Sequence, residues 1–336
     1  MDDRYLWDKT GPVDPDVERL ERELGRFRHE RRPLRPTARR RLLPRVILAA
    51  AAAVLAAAGL AWAALAGAPP QWRVESLQGT AVAGAAPVTS VRALPAGVRV
   101  ETDGSSRAKL GMGRIAEISV GPNSRVRLLE SRAVEQRLAL DRGTIAAKIW
   151  APPRFFVIQT SSALAVDLGC AYTLSVDDAG IGLLRVETGW VSFERDTRES
   201  IVPAGAACAT RPGKGPGTPY YEDAAPEFRE ALESLDFGTG GEAPFATVLA
   251  GARMRDGLTL WHLLARTAGR NRESVCDRLE QLVPRPPGVT REAVLRGDAR
   301  GLERWRWELE GMPLLPRDGT FGSYWRKLWF RLTGLR

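Results

Sequence analysis

Hydrophobic and polar positions alternate along most of residues 72–210. Val98 and Val100 flank Arg99, Ile118 and Val120 flank Ser119, and Val126 and Leu128 flank Arg127. The same period continues through Leu138/Leu140, Ile145/Ala147/Ile149, Leu164/Val166/Leu168, Tyr172/Leu174/Val176, Leu184/Val186 and Val191/Phe193. A period of two sends successive side chains to opposite faces, so each run is predicted as a strand with one face in a core. Asp103-Gly104, Gly121-Pro122-Asn123, Gly143, Asp178-Ala179-Gly180, Gly189 and Gly205 supply turn chemistry between the runs. Many short strands at this spacing predict a mainly β domain, a sandwich, a barrel or a β-solenoid.

The period changes to that of a helix after residue 224. Phe228, Leu232 and Leu235 share one face, as do Leu260, Leu263 and Leu264, and Val275, Leu279 and Leu282; Leu302, Trp305 and Leu309 form a last stripe. Pro286-Pro287-Gly288 interrupts the series and Thr290 is placed to cap a short helix. Residues 224–310 are therefore read as a small α-helical module, and residues 211–223, rich in Gly and Pro, as a linker.

Ahead of the strands, Asp14-Pro15-Asp16 is a helix start, and Val17, Leu20, Leu24 and Phe27 then recur at helical spacing. A leader of 45 residues with so few apolar side chains cannot bury a core of its own. Trp7, Val17, Leu20, Leu24 and Phe27 are accordingly candidate partner-binding residues; the alternative is a solvated leader.

Charge changes the picture more than composition does. Over 336 residues, 49 Lys and Arg face 40 Asp and Glu, a net charge of +9, with 44% hydrophobic residues, which excludes wholesale disorder. Residues 26–45 hold nine arginines against Glu30, whereas residues 46–66 carry no charge at all. The excess of cations thus flanks one apolar stretch, which argues for a membrane surface and against direct binding of nucleic acid. At 1.5 Å per residue this stretch would span about 31 Å, the thickness of a bilayer's hydrocarbon core. One transmembrane helix over 46–66 is predicted, with residues 1–45 cytoplasmic and the bulk of the chain outside, in the periplasm of an inner-membrane protein. A cleaved leader and a buried soluble helix are the competing readings. The tail, 311–336, combines aromatics and cations in Tyr324–Leu332 and could lie in a membrane interface or dock on the helical module.

Chemistry is sparse. His29 and His262 are the two histidines, and neither belongs to a recognisable catalytic or zinc-binding motif. No enzyme, cofactor or metal is expected. In an exported domain Cys170 and Cys208 could pair, closing a loop that would stabilise it by roughly 4 kcal/mol; two buried free thiols are the other reading, and Cys276 is left over.

Several segments, taken in order, resemble a FecR-type domain: Pro95–Thr102 (PAGVRVET), Ala108–Leu110, Ile118–Ser124 (ISVGPNS) with Val126 and Leu128, Leu138–Gly143 (LALDRG), Phe156–Thr160 (FVIQT), Ala165–Gly169 (AVDLG) with Tyr172, and Leu184–Val191 (LRVETGWV). They cover most of residues 72–205. Gly169-Cys170 stands where the family commonly has Gly-Thr. The resemblance implies a single-pass regulator whose cytoplasmic segment restrains a sigma factor while its β domain senses an envelope partner. The rival reading is a non-enzymatic structural or adhesive envelope module that binds cell-wall glycan or another protein.

Overall fold

The computed structural model describes residues 15–27 and 71–310. Contacts divide the chain into two units, 1–65 and 66–336. In the first, helix α1 (Pro15–Leu24) ends in a 3-10 turn, Gly25–Phe27. Pro15 opens the helix, Asp16 and Glu18 sit in its first turn near the positive end of the dipole, and Arg22 lies in its last.

The second unit begins with strands β1 (Trp72–Gln78), β2 (Val82–Ala83), β3 (Ala86–Pro87), β4 (Arg92–Ala93), β5 (Arg99–Glu101), β6 (Arg107–Met112), β7 (Ala116–Val120), β8 (Arg125–Arg132) and β9 (Glu135–Ile149). It continues with β10 (Phe156–Gln159), β11 (Leu164–Asp167), β12 (Ala171–Val176), β13 (Gly182–Thr188), β14 (Trp190–Arg195), β15 (Arg198–Pro203), β16 (Ala206–Arg211), β17 (Gly215–Pro216) and β18 (Tyr220–Tyr221). One sheet runs β4-β1-β6-β7-β9-β12-β13-β16, with β17 and β18 on its last strand. The other runs β3-β2-β5-β8-β9-β10-β11-β14-β15.

Strand β9 belongs to both sheets. Its first half pairs with β8 and β10, and its second half, from Gly143, pairs with β12 and then β7. The bend falls at Gly143, whose φ of 91° is open to glycine but costly for other residues. Ser124 holds the bend: its Oγ accepts from Thr144 N–H at 3.0 Å, and its Cα would lie 2.4 Å from any Cβ at position 143.

The two sheets wrap a single core as a half-barrel. Buried and half-exposed positions alternate along β6, β7 and β12 as the period of two requires. The largest buried side chains are Trp72, Tyr172, Phe155, Phe156 and Phe193; the rings of Trp72 and Phe156 lie 5.8 Å apart. Trp72 Nε1 donates to Gln136 Oε1 at 3.0 Å, so the indole is buried without losing its hydrogen bond.

The helical region comprises α2 (Pro226–Phe237), α3 (Glu242–Gly251), α4 (Gly257–Arg266), α5 (Gly269–Leu282), α6 (Arg291–Arg296) and α7 (Ala299–Glu310). Phe228, Leu232, Val248, Leu260, Leu264, Val275, Leu279 and Trp305 form its core. Thr290 accepts the Ala293 N–H at the start of α6, and Gly297 ends it in the left-handed conformation.

These findings correct the expected fold class. In place of a β-solenoid or sandwich with one transmembrane helix, the described residues form a mostly β half-barrel with a C-terminal helical region. A solenoid stacks parallel strands, whereas every pair here is antiparallel except β9–β10. No helix among the described residues is long and apolar enough to cross a membrane. Residues 46–66 lie outside the described residues, as do Trp7 and the tail 311–336. Residues 211–223 are not a free linker either. Gly215 to Pro219 are buried, and β17 and β18 extend the first sheet, because main-chain bonds to β16 outweigh the Gly/Pro bias toward open loop.

The Gly143→Ala variant tests the bend. It is expected to lower stability by about 1–3 kcal/mol, because backbone atoms of Ser124 cannot yield to the new methyl group. Urea unfolding of wild type and variant measures the difference.

Candidate functional site

Helix α1 carries the apolar residues singled out in the leader. Leu20, Leu24 and Phe27 are 59%, 57% and 72% exposed, Val17 is half-buried, and no residue of the helix is buried. The opposite side is charged, with Glu18 and Arg22 an i,i+4 pair at 3.7 Å. Arg26 lies 5.2 Å from the Phe27 ring centroid, which leaves the ring's apolar edge in water. An amphipathic helix gains most of its stability by covering its apolar face, and this stripe is uncovered.

The expected Cys170–Cys208 bridge is absent: both thiols are free and buried, and so is Cys276. Geometry explains this. Cys208 pairs with Leu184, which pairs with Leu174, so two inter-strand steps of about 4.8 Å separate Cys208 from β12, and Cys170 lies just before that strand begins. Disulfide Cα atoms lie within about 7 Å of each other. Each thiol has its own acceptor instead: Cys170 donates to Asp167 Oδ1 at 2.5 Å and Cys208 to the Gly217 carbonyl at 3.2 Å. Burial pushes the Cys208 thiol up to about 12, with the Arg266 charge acting in the opposite sense.

A second arrangement was not visible in the sequence. Strand β15 is the last of its sheet, so its outward N–H and C=O groups have no neighbouring strand. Helix α4 supplies partners from two side chains one turn apart. His262 Nε2 accepts the Ile201 N–H at 3.1 Å, and Arg266 Nη2 donates to the Glu199 carbonyl at 3.1 Å. Arg266 also donates to Ser200 Oγ and Thr218 Oγ1, at 2.7 and 2.8 Å.

Asp236 at the end of α2 completes the joint. It accepts from Arg198 at 2.8 Å and from the Thr218 N–H at 2.5 Å, and lies 3.5 Å from Arg266. Burial holds Arg266 down to about 10, against the pull of Asp236. Burial also keeps His262 well below its usual value, reinforced by the charges of Arg266 and Arg306, so it is a neutral acceptor. The only sequence signal for this joint was the i,i+4 spacing of His262 and Arg266.

Beside the joint, a cleft of about 220 Å³ is lined by Thr218, Tyr220, Arg229, Glu233, Asp236 and Phe237. Arg211 pairs with Glu233 at its rim. No group of three or more His, Cys, Asp and Glu among the described residues could hold a metal ion.

No protein-family model matches the chain, and no curated protein matches it. Among solved structures, the chain is similar to two crystal structures from Parabacteroides distasonis ATCC 8503, each assigned as an anti-sigma factor. Identity is 13% in both, the TM-scores are 0.33 and 0.34, and each alignment covers 40% of this chain. The chain spans less than two thirds of those relatives, 63% and 62% of their lengths.

The joint has a pH signature. Because the folded His262 is held below its ordinary 6.5, its contribution is present above about pH 6.5 and is lost as pH falls below that value. His262→Gln keeps an acceptor for Ile201 but cannot be protonated. Wild type is therefore expected to lose stability relative to this variant between pH 7.5 and 5.0, measured by urea unfolding at both values.

Proposed function

We propose that this chain is a regulator in which α1 is the effector segment and the half-barrel with its helical region is the recognition unit. The observation that supports the reading is the uncovered stripe of Leu20, Leu24 and Phe27 on a helix that buries none of its residues. Covering one such side chain contributes about 1.5–3 kcal/mol, so the three together offset much of the cost of association and leave the rest to contacts around the stripe. The partner class is a sigma factor. That choice comes from the FecR-type motifs, and the assignment carried by the two Parabacteroides structures agrees with it. A helix laid in a hydrophobic groove would read the stripe through anchors at positions 17, 20, 24 and 27.

The test is capture of sigma factors from the same cell by the full chain. Retention at micromolar concentration is expected, with Leu20→Glu/Leu24→Glu weakening it at least a hundredfold while leaving the thermal unfolding of the β unit unchanged. Absence of any sigma-factor binding at that concentration overturns the proposal.

A further inference from the structure

The chain crosses from one sheet of the half-barrel to the other between Asp167, the last residue of β11, and Ala171, the first of β12. Three residues make that corner. Asp167 has no exposed surface, and its two oxygens are used within the corner. Oδ1 accepts the Cys170 thiol at 2.5 Å and Oδ2 accepts the Gly169 N–H at 3.1 Å. The return crossing, from β13 to β14, packs against it: a Cβ on Gly189 would fall 2.0 Å from the Gly169 carbonyl oxygen.

Among the described residues, no cation lies within salt-bridge distance of the carboxyl group. Arg154 donates its backbone N–H to the Asp167 carbonyl at 2.7 Å, but its guanidinium pairs with Glu194 at 3.1 Å. Across the ladder on β14, Asp167 faces Val191. Two residues beyond Cys170, on β12, the buried Tyr172 hydroxyl has no hydrogen-bond partner among the described residues. Burial raises Tyr172 well above its usual value, and Cys170 and Asp167 add to the shift. An ionised Asp167 would thus be a buried charge with neutral donors and, among the described residues, no counter-ion, a state that interiors disfavour strongly.

We propose that Asp167 and Cys170 form a proton-operated latch at this corner, closed while Asp167 carries a proton and loosened when it ionises. Burial pushes the Asp167 carboxyl up to about 7, against the opposing hydrogen bonds from Cys170 and Gly169. The folded value lies above the unfolded one, so the stabilisation is fully present below about pH 4 and is lost as pH rises through 7. The latch makes the half-barrel responsive to pH around neutrality whatever partner α1 takes.

Hydrogen exchange of the full chain tests this. After correction for intrinsic rates, peptides spanning residues 164–176 are expected to lose about tenfold or more of their protection between pH 6.0 and 8.5, while Asp167→Asn retains it. Equal protection of wild type at both pH values, or the same loss in the variant, overturns the latch. A second measurement needs no variant. Alkylation of Cys170, located by mass spectrometry, is expected to accelerate about tenfold more over this range than that of Cys208, which is also buried. A parallel rise at the two cysteines overturns the proposal.

Discussion

A sheet that does not close on itself must satisfy the main chain of its last strand, and much of this molecule's architecture follows from how β15 does so. Its outward N–H and C=O groups are met by His262 and Arg266, two side chains of one helix standing in for a neighbouring strand. That arrangement explains why Gly215 to Pro219 are buried and why α2 ends where it does. Gly217 and Thr218 must reach Ser200 and Asp236, and Asp236 must face Arg198 and Arg266. Removing one partner of such a buried pair typically costs about 3–5 kcal/mol, because the other charge is left stranded.

Two aspartates, Asp236 half-buried and Asp167 buried, show how strongly context decides the role of one residue type. Asp236 lies between two arginines and ties the helical region to the half-barrel. Asp167 lies in the corner between the sheets with the Cys170 thiol and backbone N–H groups as its donors, and burial raises its pKa to about 7. Cys170 completes the second arrangement by donating its thiol to the Asp167 carboxyl group.

Local pattern made much of the secondary structure legible. Period-two runs such as Ala116–Val120 and Ala171–Val176 are strands because only that period buries one face, and Thr290 and Gly297 bracket α6 through capping chemistry. The stripe at 17, 20, 24 and 27 is legible for the same reason. The arrangement of the strands was not: alternation states which face is inward, never which strand lies next, so a solenoid, a sandwich and a half-barrel share one pattern. The linker reading failed because composition weighs local freedom and ignores main-chain pairing to β16.

The amino-acid sequence by itself determined the two periodicities, the apolar stripe of α1 and the concentration of arginines near the start of the chain, since each depends on neighbours a few positions apart. Tertiary structure alone decided that Cys170 and Cys208 stay unpaired, that His262 serves as a backbone acceptor, and that Asp167 is buried without a counter-ion. Those outcomes depend on distances between residues tens of positions apart, and such distances are set by strand order and by how the two sheets share β9.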